Sequence, residues 1–522
     1  MSTVCLIGGL RDDPHHRPRG DSRSVLQPTI ASERGHNDGK STSHIGGSRR
    51  GDRHCVGEMC HTFMRYQEAV DHLYARGYEL APRPGETSPR EFDLNHMRIL
   101  AGALGDPQLK FSSILIAGTN GKGSTAATLA SILDASGYKT GLYTSPHLSR
   151  INERVQTSAQ DVPGNRLRSI GDDAFARLYV QVDDAATELV RKGALPHSPS
   201  LFEVVTALAF LHFAEQQVEV AVIEVGLGGR LDATNIVQPL ISVITDIALD
   251  HMEWLGSTIT EIAREKAGIL RPKGILVTLP QHPDANNSID NVAVSLDVRR
   301  INADEYIPAR IERFQAMRNQ YTITFAGGCL HVNSPLLGEH QRRNLALALA
   351  AANELQKNQR FTKITQSAIE QGIRQTHWPA RLESILGDNN SRILLDVAHN
   401  PAGIWTLRSY LSSLFSSDNV APRHLIFGAL RDKSIQEMAQ VLFPLFTRPS
   451  DRIHLVAVNN PRAASLDDLK AASDAIDTPT STHVSVADAL KDAQASGNSI
   501  IVIAGSLYLV AEARTLLLGD RI

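Results

Sequence analysis

The sequence predicts an α/β protein built from two mainly parallel sheets with helices on their faces. Short β-branched runs alternate with helical patterns from about residue 112 onward. Strands buried on both faces show such continuous apolar runs. The candidate strands lie at 114–116, 220–223, 241–245, 393–395, 424–427, 453–456 and 500–503. We therefore expect a phosphate-binding α/β domain followed by a Rossmann-like domain.

The N-terminal segment differs in composition from the rest of the chain. Residues 1–62 are rich in Arg, Ser, Gly, Asp and His and have no sustained apolar periodicity. Such a segment buries too little apolar surface to offset the entropy of ordering, so we predict a disordered extension. Tyr66, Ala69, Val70 and Leu73 recur at helical spacing and indicate the start of the folded part.

A change of pattern in the middle of the chain predicts the boundary between the two domains. Alternating polar and apolar residues at 321–325, followed by Gly327 and Gly328, are typical of a β-hairpin. We place the boundary near residue 300. This gives a phosphate-loop domain over 63–300 and a Rossmann-like domain over 301–522.

Composition excludes several functional classes. The 522 residues carry 53 basic and 56 acidic side chains, a net charge of -3, which argues against nucleic acid as the main partner. No apolar run approaches the roughly 20 residues that a membrane-spanning helix needs. Four cysteines, three of them in the first 60 residues, do not make a disulfide framework. We expect a cytoplasmic monomer that binds small molecules and neither nucleic acid nor membrane.

A glycine-rich loop lies between the first predicted strand and an Ala/Leu-rich helix. Glycines let backbone N–H groups turn toward phosphate oxygens, the lysine supplies an ammonium group, and a hydroxyl can reach Mg²⁺. The spacing departs from the standard phosphate loop, so a purely structural turn is the alternative. The loop residues are Gly118, Thr119, Asn120, Gly121, Lys122, Gly123, Ser124 and Thr125.

Polar residues follow three other predicted strands, where a metal site beside the phosphate loop would need them. Glu224 ends the strand at 220–223, His251 follows the strand at 241–245, and Ser145 follows a strand around 142–143. The carboxyl ends of parallel strands share one edge of a sheet, which is where ligands bind in open α/β folds. Taken singly, a helix-capping Glu or a structural His explains such residues equally well.

Ten motifs occur in the order in which they stand in a known family. The chain from about residue 64 onward resembles the folylpolyglutamate and dihydrofolate synthases, ATP-dependent amide ligases related to the Mur ligases. The resemblance implies a Mur-ligase-like fold. Among the motifs are GTNGKGS at 118–124, SPHLSRINER at 145–154, EVGLGGRLDATN at 224–235, EKAGI at 265–269, PARLE at 379–383 and DVAHNPAG at 396–403.

The resemblance implies roles for charged residues of the first domain. It makes Lys122 and its loop the binding site of the ATP phosphates and makes Ser145, Glu224 and His251 ligands of Mg²⁺. Lys266 resembles the lysine that these ligases convert to a carbamate. Only a neutral amine reacts with CO₂, so this modification requires burial that lowers the lysine pKa. An ordinary lysine on a helix surface is the alternative.

The resemblance also implies that the second domain contributes to ATP binding. Asn344 and Arg381 resemble residues that reach the nucleotide. Asp396 and His399 resemble residues near its ribose and phosphates or near the incoming glutamate. We expect His399 to orient or deprotonate the glutamate amine.

Three further residues resemble positions near the pterin or the substrate cleft. Phe202 would stack on the flat heterocycle, Asp232 would accept its ring N–H groups, and Ser506 would lie beside the cleft. The alternatives are a core Phe, a loop-capping Asp and a helix N-cap.

The expected activity is the addition of L-glutamate to dihydropteroate and to tetrahydrofolate glutamates through an acyl phosphate. A monofunctional folylpolyglutamate synthase, or another Mur-type amino-acid ligase, is the alternative within the enzymes. A nucleotide-binding regulatory protein or motor would instead hydrolyse ATP with no response to either substrate.

Overall fold

A computed structural model describes residues 64–76, 93–159, 167–308, 319–417, 420–476 and 480–519, and the extension expected over 1–62 lies outside them. The helices of this part of the chain are α1 (Tyr66–Ala75), α2 (Leu94–Ala103), α3 (Lys122–Ala135), α4 (Asp172–Arg191), α5 (Leu201–Glu215), α6 (Met252–Leu255), α7 (Ile259–Ala267), α8 (Pro283–Ser295), α9 (Glu339–Gln356), α10 (Gln366–Gln375), α11 (Pro401–Ser417), α12 (Ile435–Leu442), α13 (Leu466–Asp474), α14 (Val486–Ala495) and α15 (Leu507–Leu518).

The strands confirm the predicted α/β fold, including every strand expected from an apolar run. They are β1 (Ser112–Ala117), β2 (Thr140–Tyr143), β3 (Val155–Ser158), β4 (Leu167–Ser169), β5 (Val220–Glu224), β6 (Pro239–Ile244), β7 (Ile275–Thr278), β8 (Arg299–Asn302), β9 (Asn319–Phe325), β10 (Gly328–Ser334), β11 (Glu383–Leu386), β12 (Arg392–Leu395), β13 (Arg423–Phe427), β14 (Arg452–Val456), β15 (Thr480–His483) and β16 (Ile500–Ala504).

Two sheets organise the described chain. The first has the order β4-β3-β2-β5-β1-β6-β7-β8 and is parallel except at β3 and β4. The second has the order β11-β12-β16-β13-β14-β15 and is parallel except at β11. The predicted hairpin is the antiparallel pair β9 and β10. None of the described helices is long and apolar enough to cross a membrane.

Buried side chains alternate between the two faces of each sheet. In β1, Leu115 belongs to the hydrophobic cluster on one face, and Ile114 and Ile116 belong to the cluster on the other. Helices α9 and α10 pack on α3 and share the second of these clusters, although both follow residue 300 in the chain. The boundary near 300 stays a prediction, and the clusters favour a position close to 380.

Candidate active site

Residues from both sheets line one cavity of about 580 Å³. It lies at the carboxyl ends of β1, β5 and β6 and of strands of the second sheet. Every predicted site residue except Thr125, which is buried behind the loop, lines this cavity. They are Gly118, Thr119, Asn120, Gly121, Lys122, Gly123, Ser124, Ser145, Phe202, Glu224, Asp232, His251, Lys266, Asn344, Arg381, Asp396, His399 and Ser506.

The phosphate loop connects β1 to α3 and requires its glycines. A Cβ at Gly118 would lie 1.7 Å from Thr245 Oγ1, and one at Gly121 would lie 2.2 Å from Asn344 Oδ1. Gly121 also has a φ of +89°, which disfavours other residues. Lys122 Nζ donates to the carbonyl oxygen of Gly118 at 3.1 Å. The loop thus holds its lysine at the N-terminus of a helix, where anions bind.

The three predicted metal ligands all line the cavity beside this loop, and two of them are in direct contact. The backbone N–H of Ser145 donates to Glu224 Oε2 at 3.2 Å. Burial raises the pKa of Glu224 to about 7 even though Lys122 opposes the shift. Ser145 Oγ is buried and has no hydrogen-bond partner within the described structure. Burial lowers the pKa of His251 to about 4, so its ring is neutral. A hydroxyl without a partner, a desolvated carboxylate and a neutral imidazole fit a divalent cation.

Lys266 is buried and points into the same loop from α7. Its Nζ donates to the carbonyl oxygen of Gly118 at 2.8 Å. Burial, and then the neighbouring charge of Lys122, lower its pKa to about 7. A substantial share of this amine is therefore neutral near physiological pH, which meets the chemical requirement for carbamate formation. The alternative of an exposed surface lysine is wrong.

Arg381 and Asp396 face the cavity from the second sheet. Asp396 is buried, and its two oxygens accept the backbone N–H groups of Leu382 and Ala398, each at 2.9 Å. Burial raises its pKa above the ordinary value. The Arg381 guanidinium carbon lies 5.9 Å from the centroid of the Trp378 ring. These contacts hold an acidic and a basic group in place opposite the phosphate loop.

Asp250 joins the two sheets at the cavity. It accepts Lys433 Nζ at 2.8 Å and Asn400 Nδ2 at 3.0 Å. Although burial acts to raise its pKa, the nearby His251, Lys433 and His399 hold that pKa below the ordinary value. His399 Nδ1 lies 2.8 Å from the Val397 carbonyl oxygen, so Nδ1 carries the proton. The lone pair of Nε2 therefore remains on the other edge of the ring, as a general base requires.

The predicted pterin residues have structural contacts of their own. The Phe202 ring lies so close to Gly226 that a Cβ there would be 2.5 Å away. Asp232 accepts the backbone N–H groups of Leu227 and Thr234 at 2.9 and 3.0 Å, which is the loop-capping role. Ser506 is the N-cap of α15. A pterin contact of these residues stays a prediction.

Sequence reasoning missed two ion pairs of the site. One is Lys433 with Asp250, and the other joins Arg343 to Asp246 at 2.6 Å. Lys433 follows the carboxyl end of β13, and Asp246 follows that of β6. The strand-end rule that identified Glu224 selected His251 after β6 and passed over Asp246, and it says nothing of Arg343, which lies on α9. Applied to the second sheet, it would have drawn attention to the loop after β13 that carries Lys433.

A phosphate-loop domain and a Rossmann-like domain that share one cavity define a Mur-type ligase. The family model of the Mur ligase middle domain matches residues 183–352, and that of the Mur ligase glutamate ligase domain matches 380–507. These matches cover the first sheet from within α4 onward and all six strands of the second.

Proteins of similar sequence identify the family within the Mur-type ligases. The folylpolyglutamate synthase of Lacticaseibacillus casei is 35% identical over 88% of this chain and 100% of its own length. The dihydrofolate synthase/folylpolyglutamate synthase of Bacillus subtilis is 33% identical over 87% and 99%. The solved Mycobacterium tuberculosis folylpolyglutamate synthase, complexed with ADP and AMPPCP, is 30% identical over 81% and 95%, with a TM-score of 0.72. The chain belongs to the folylpolyglutamate/dihydrofolate synthase family of Mur-type ligases.

Proposed function

We propose that this chain joins L-glutamate to dihydropteroate, giving dihydrofolate, and to tetrahydrofolate glutamates, with ATP converted to ADP and phosphate. The observation that carries the proposal is the single cavity in which Lys122 and Glu224 of the first sheet face Arg381, Asp396 and His399 of the second. Relatives along the whole folded chain bear the names of the two activities.

The cavity groups suit the two steps that amide formation needs. A carboxylate is a poor electrophile, so it first takes the γ-phosphoryl group of ATP to become an acyl phosphate. Lys122 stabilises the charge on the transferring group. The glutamate amine then attacks the acyl carbon, the C–N bond forms and phosphate leaves. His399 Nε2 accepts the proton that the amine loses.

Ser145, Glu224 and His251 would hold Mg²⁺ beside the phosphate loop. Bound there, Mg²⁺ supplies positive charge to the phosphate oxygens. The buried Ser145 hydroxyl and the desolvated Glu224 carboxylate would gain a partner on binding. Asn344 on α9, together with Arg381 and Asp396 of the second sheet, would complete the nucleotide site.

Lys266 would carry a carbamate in the active enzyme. Its burial and its pKa of about 7 favour the reaction of the neutral amine with CO₂. Native mass spectrometry of protein prepared in bicarbonate would show the mass of one added CO₂, and Lys266→Arg would lack it. An unmodified Lys266 in active enzyme would remove this part of the proposal.

Phe202, Asp232 and Ser506 would border the acceptor, since all three line the cavity. We further propose that the enzyme is a cytoplasmic monomer, as the family's small-molecule chemistry needs no second copy. Light scattering of the purified full chain tests the oligomeric state.

The deciding experiment measures incorporation of labelled glutamate by the full chain with ATP. Dihydropteroate and tetrahydrofolate serve as separate acceptors, and ADP release is followed in parallel. Incorporation on both acceptors supports the proposal, whereas incorporation on one alone makes the enzyme monofunctional. ATP hydrolysis without incorporation on either acceptor would overturn the proposal.

A further inference from the structure

Three histidines lie side by side on neighbouring strands of the second sheet, away from the active-site cavity. His424 is on β13, His454 on β14 and His483 on β15. The register pairs Ile426 with His454 and Val456 with His483, which places all three rings on the face that α14 covers. None of these histidines lines the cavity. The proposed ligase chemistry therefore leaves this cluster unused.

Four ligand-type atoms of this cluster form a compact group. His454 Nδ1 lies 2.9 Å from His483 Nε2 and 3.4 Å from Asp492 Oδ2, and His483 Nε2 lies 3.7 Å from that oxygen. Ser481 Oγ lies 3.3 and 3.1 Å from the two ring nitrogens. Tetrahedral zinc with bonds of about 2.0–2.1 Å has ligands roughly 3.3 Å apart. These separations bracket that value.

The surroundings of the four atoms also suit a metal. His454 is buried and its other ring nitrogen, Nε2, lies 3.0 Å from His424 Nδ1. Ligating histidines ordinarily donate their second N–H to an acceptor, which fixes the tautomer, and His424 Nδ1 is such an acceptor when it carries no proton. The Asp492 side chain is 58% exposed, so a cation can reach the group from solvent. Because Asp492 is exposed on α14, it is the ligand whose substitution should disturb the fold least.

We propose that His454, His483 and Asp492 bind a divalent transition-metal ion of the zinc class, with Ser481 Oγ or a water molecule as fourth ligand. Two imidazoles in one site favour such ions over Mg²⁺, so the Mg²⁺ required with ATP does not compete. The bound ion joins β14 to the edge strand β15 and to α14. It stabilises the second sheet because it binds the folded state alone.

Cobalt(II) is the probe that tests this site. The full chain is freed of metal with a chelator and titrated with Co²⁺ in excess Mg²⁺, and visible absorption is recorded. We expect one equivalent to produce the bands of tetrahedral Co²⁺ and Zn²⁺ to displace it. Asp492→Asn and His483→Gln should abolish the bands. Two exposed positions, Asp474→Asn and His331→Gln, provide matched controls that should keep them.

Further measurements distinguish metal binding at this cluster from binding at the active site and from misfolding of a variant. His251→Gln should keep the Co²⁺ bands, whatever its glutamate incorporation. Zn²⁺ should raise the unfolding temperature of the wild type and of Asp474→Asn but not of Asp492→Asn. Because Asp492 is exposed, its variant should retain the circular dichroism of the wild type. Absent bands in the wild type, or unchanged bands in Asp492→Asn, would overturn the proposal and leave a purely hydrogen-bonded histidine chain.

Discussion

The two sheets meet at one cavity but hold their charges differently. In the first sheet, Glu224 and Lys266 are buried with no opposite charge in hydrogen-bond contact among the described residues, and burial moves the pKa of each to about 7. In the second, Lys433 reaches a carboxylate of the first sheet directly. The difference indicates a division of labour. The first sheet holds the poorly compensated charges beside the phosphate loop, and the second, besides the buried Asp396, contributes a cation that joins the halves.

Replacement of the phosphate-loop lysine should have the largest effect on activity. In Lys122→Ala we expect kcat for glutamate incorporation to fall about 10²–10³-fold, because a positive group aimed at the transferring phosphoryl is lost. Steady-state kinetics with ATP varied up to saturation measures the change. Lys110→Ala, on the surface, is the matched control and should leave kcat unchanged. A loss confined to KM for ATP would show that Lys122 binds the ground state alone.

A buried histidine of the first sheet's layer predicts a pH dependence of stability. His212 on α5 is 5% exposed, and burial lowers its pKa from 6.5 to about 4, with Glu215 raising it and Arg177 lowering it. Between about pH 4 and pH 6.5, the unfolded state therefore binds more protons than the folded state does. The stabilising contribution is complete above about pH 6.5 and is lost as the pH falls toward 4, in all about 3 kcal/mol.

Chemical unfolding of His212→Gln and of the wild type across this pH range measures that contribution. The variant should lose less stability on acidification than the wild type does. His331→Gln, at an exposed position, should follow the wild type. Parallel curves for His212→Gln and the wild type would contradict the assignment.

Loss of the ion pair between Lys433 and Asp250 should slow the second step of the reaction, the attack of the glutamate amine. Lys433→Met removes the cation that contacts Asp250, so the cavity groups of the second sheet should shift relative to the phosphate loop. We expect kcat/KM for glutamate to fall by up to about 10²-fold, the scale of a small misplacement of reacting groups. KM for ATP should change less. Lys470→Met, also on the second half but exposed, should behave as the wild type.

If Lys433→Met left kcat/KM for glutamate unchanged, the contact with Asp250 would be a by-product of packing. Lys433→Arg distinguishes charge from geometry. It restores the cation with a longer and wider group, so partial recovery is expected if charge dominates.

The fold was predictable because each buried strand is a continuous apolar run, and the phosphate loop and Glu224 adjoin such runs. Other features depend on tertiary register. Asp232 caps the loop that carries it, which is the alternative that the sequence offers beside a pterin contact, and spacing alone does not separate the two roles. The cluster of His454 and His483 arises only when β14 and β15 pair in one register. The position of a residue along its strand can be predicted from the sequence, whereas the residue that it faces on the neighbouring strand cannot.

Replacement of a glycine on α10 tests which half of the protein that helix stabilises. Its expected effect is the smallest of those predicted. A Cβ at Gly372 would lie 2.5 Å from Ile132 Cα and 2.7 Å from the Ser131 carbonyl oxygen of α3. Gly372→Ala must push the helices apart, and we expect a loss of about 1–3 kcal/mol. Gly102→Ala on α2 meets nothing within 4 Å, so the same change there should add about 0.5–1 kcal/mol.

Calorimetry of the two variants relates these effects to the boundary between the halves. If α10 belongs with the first sheet, as its hydrophobic cluster indicates, Gly372→Ala lowers the transition that Gly102→Ala raises. If the boundary lay near residue 300, α10 would unfold with the second sheet, and the two substitutions would move different transitions. A single transition, shifted in opposite directions by the two substitutions, would mean that the two halves unfold together.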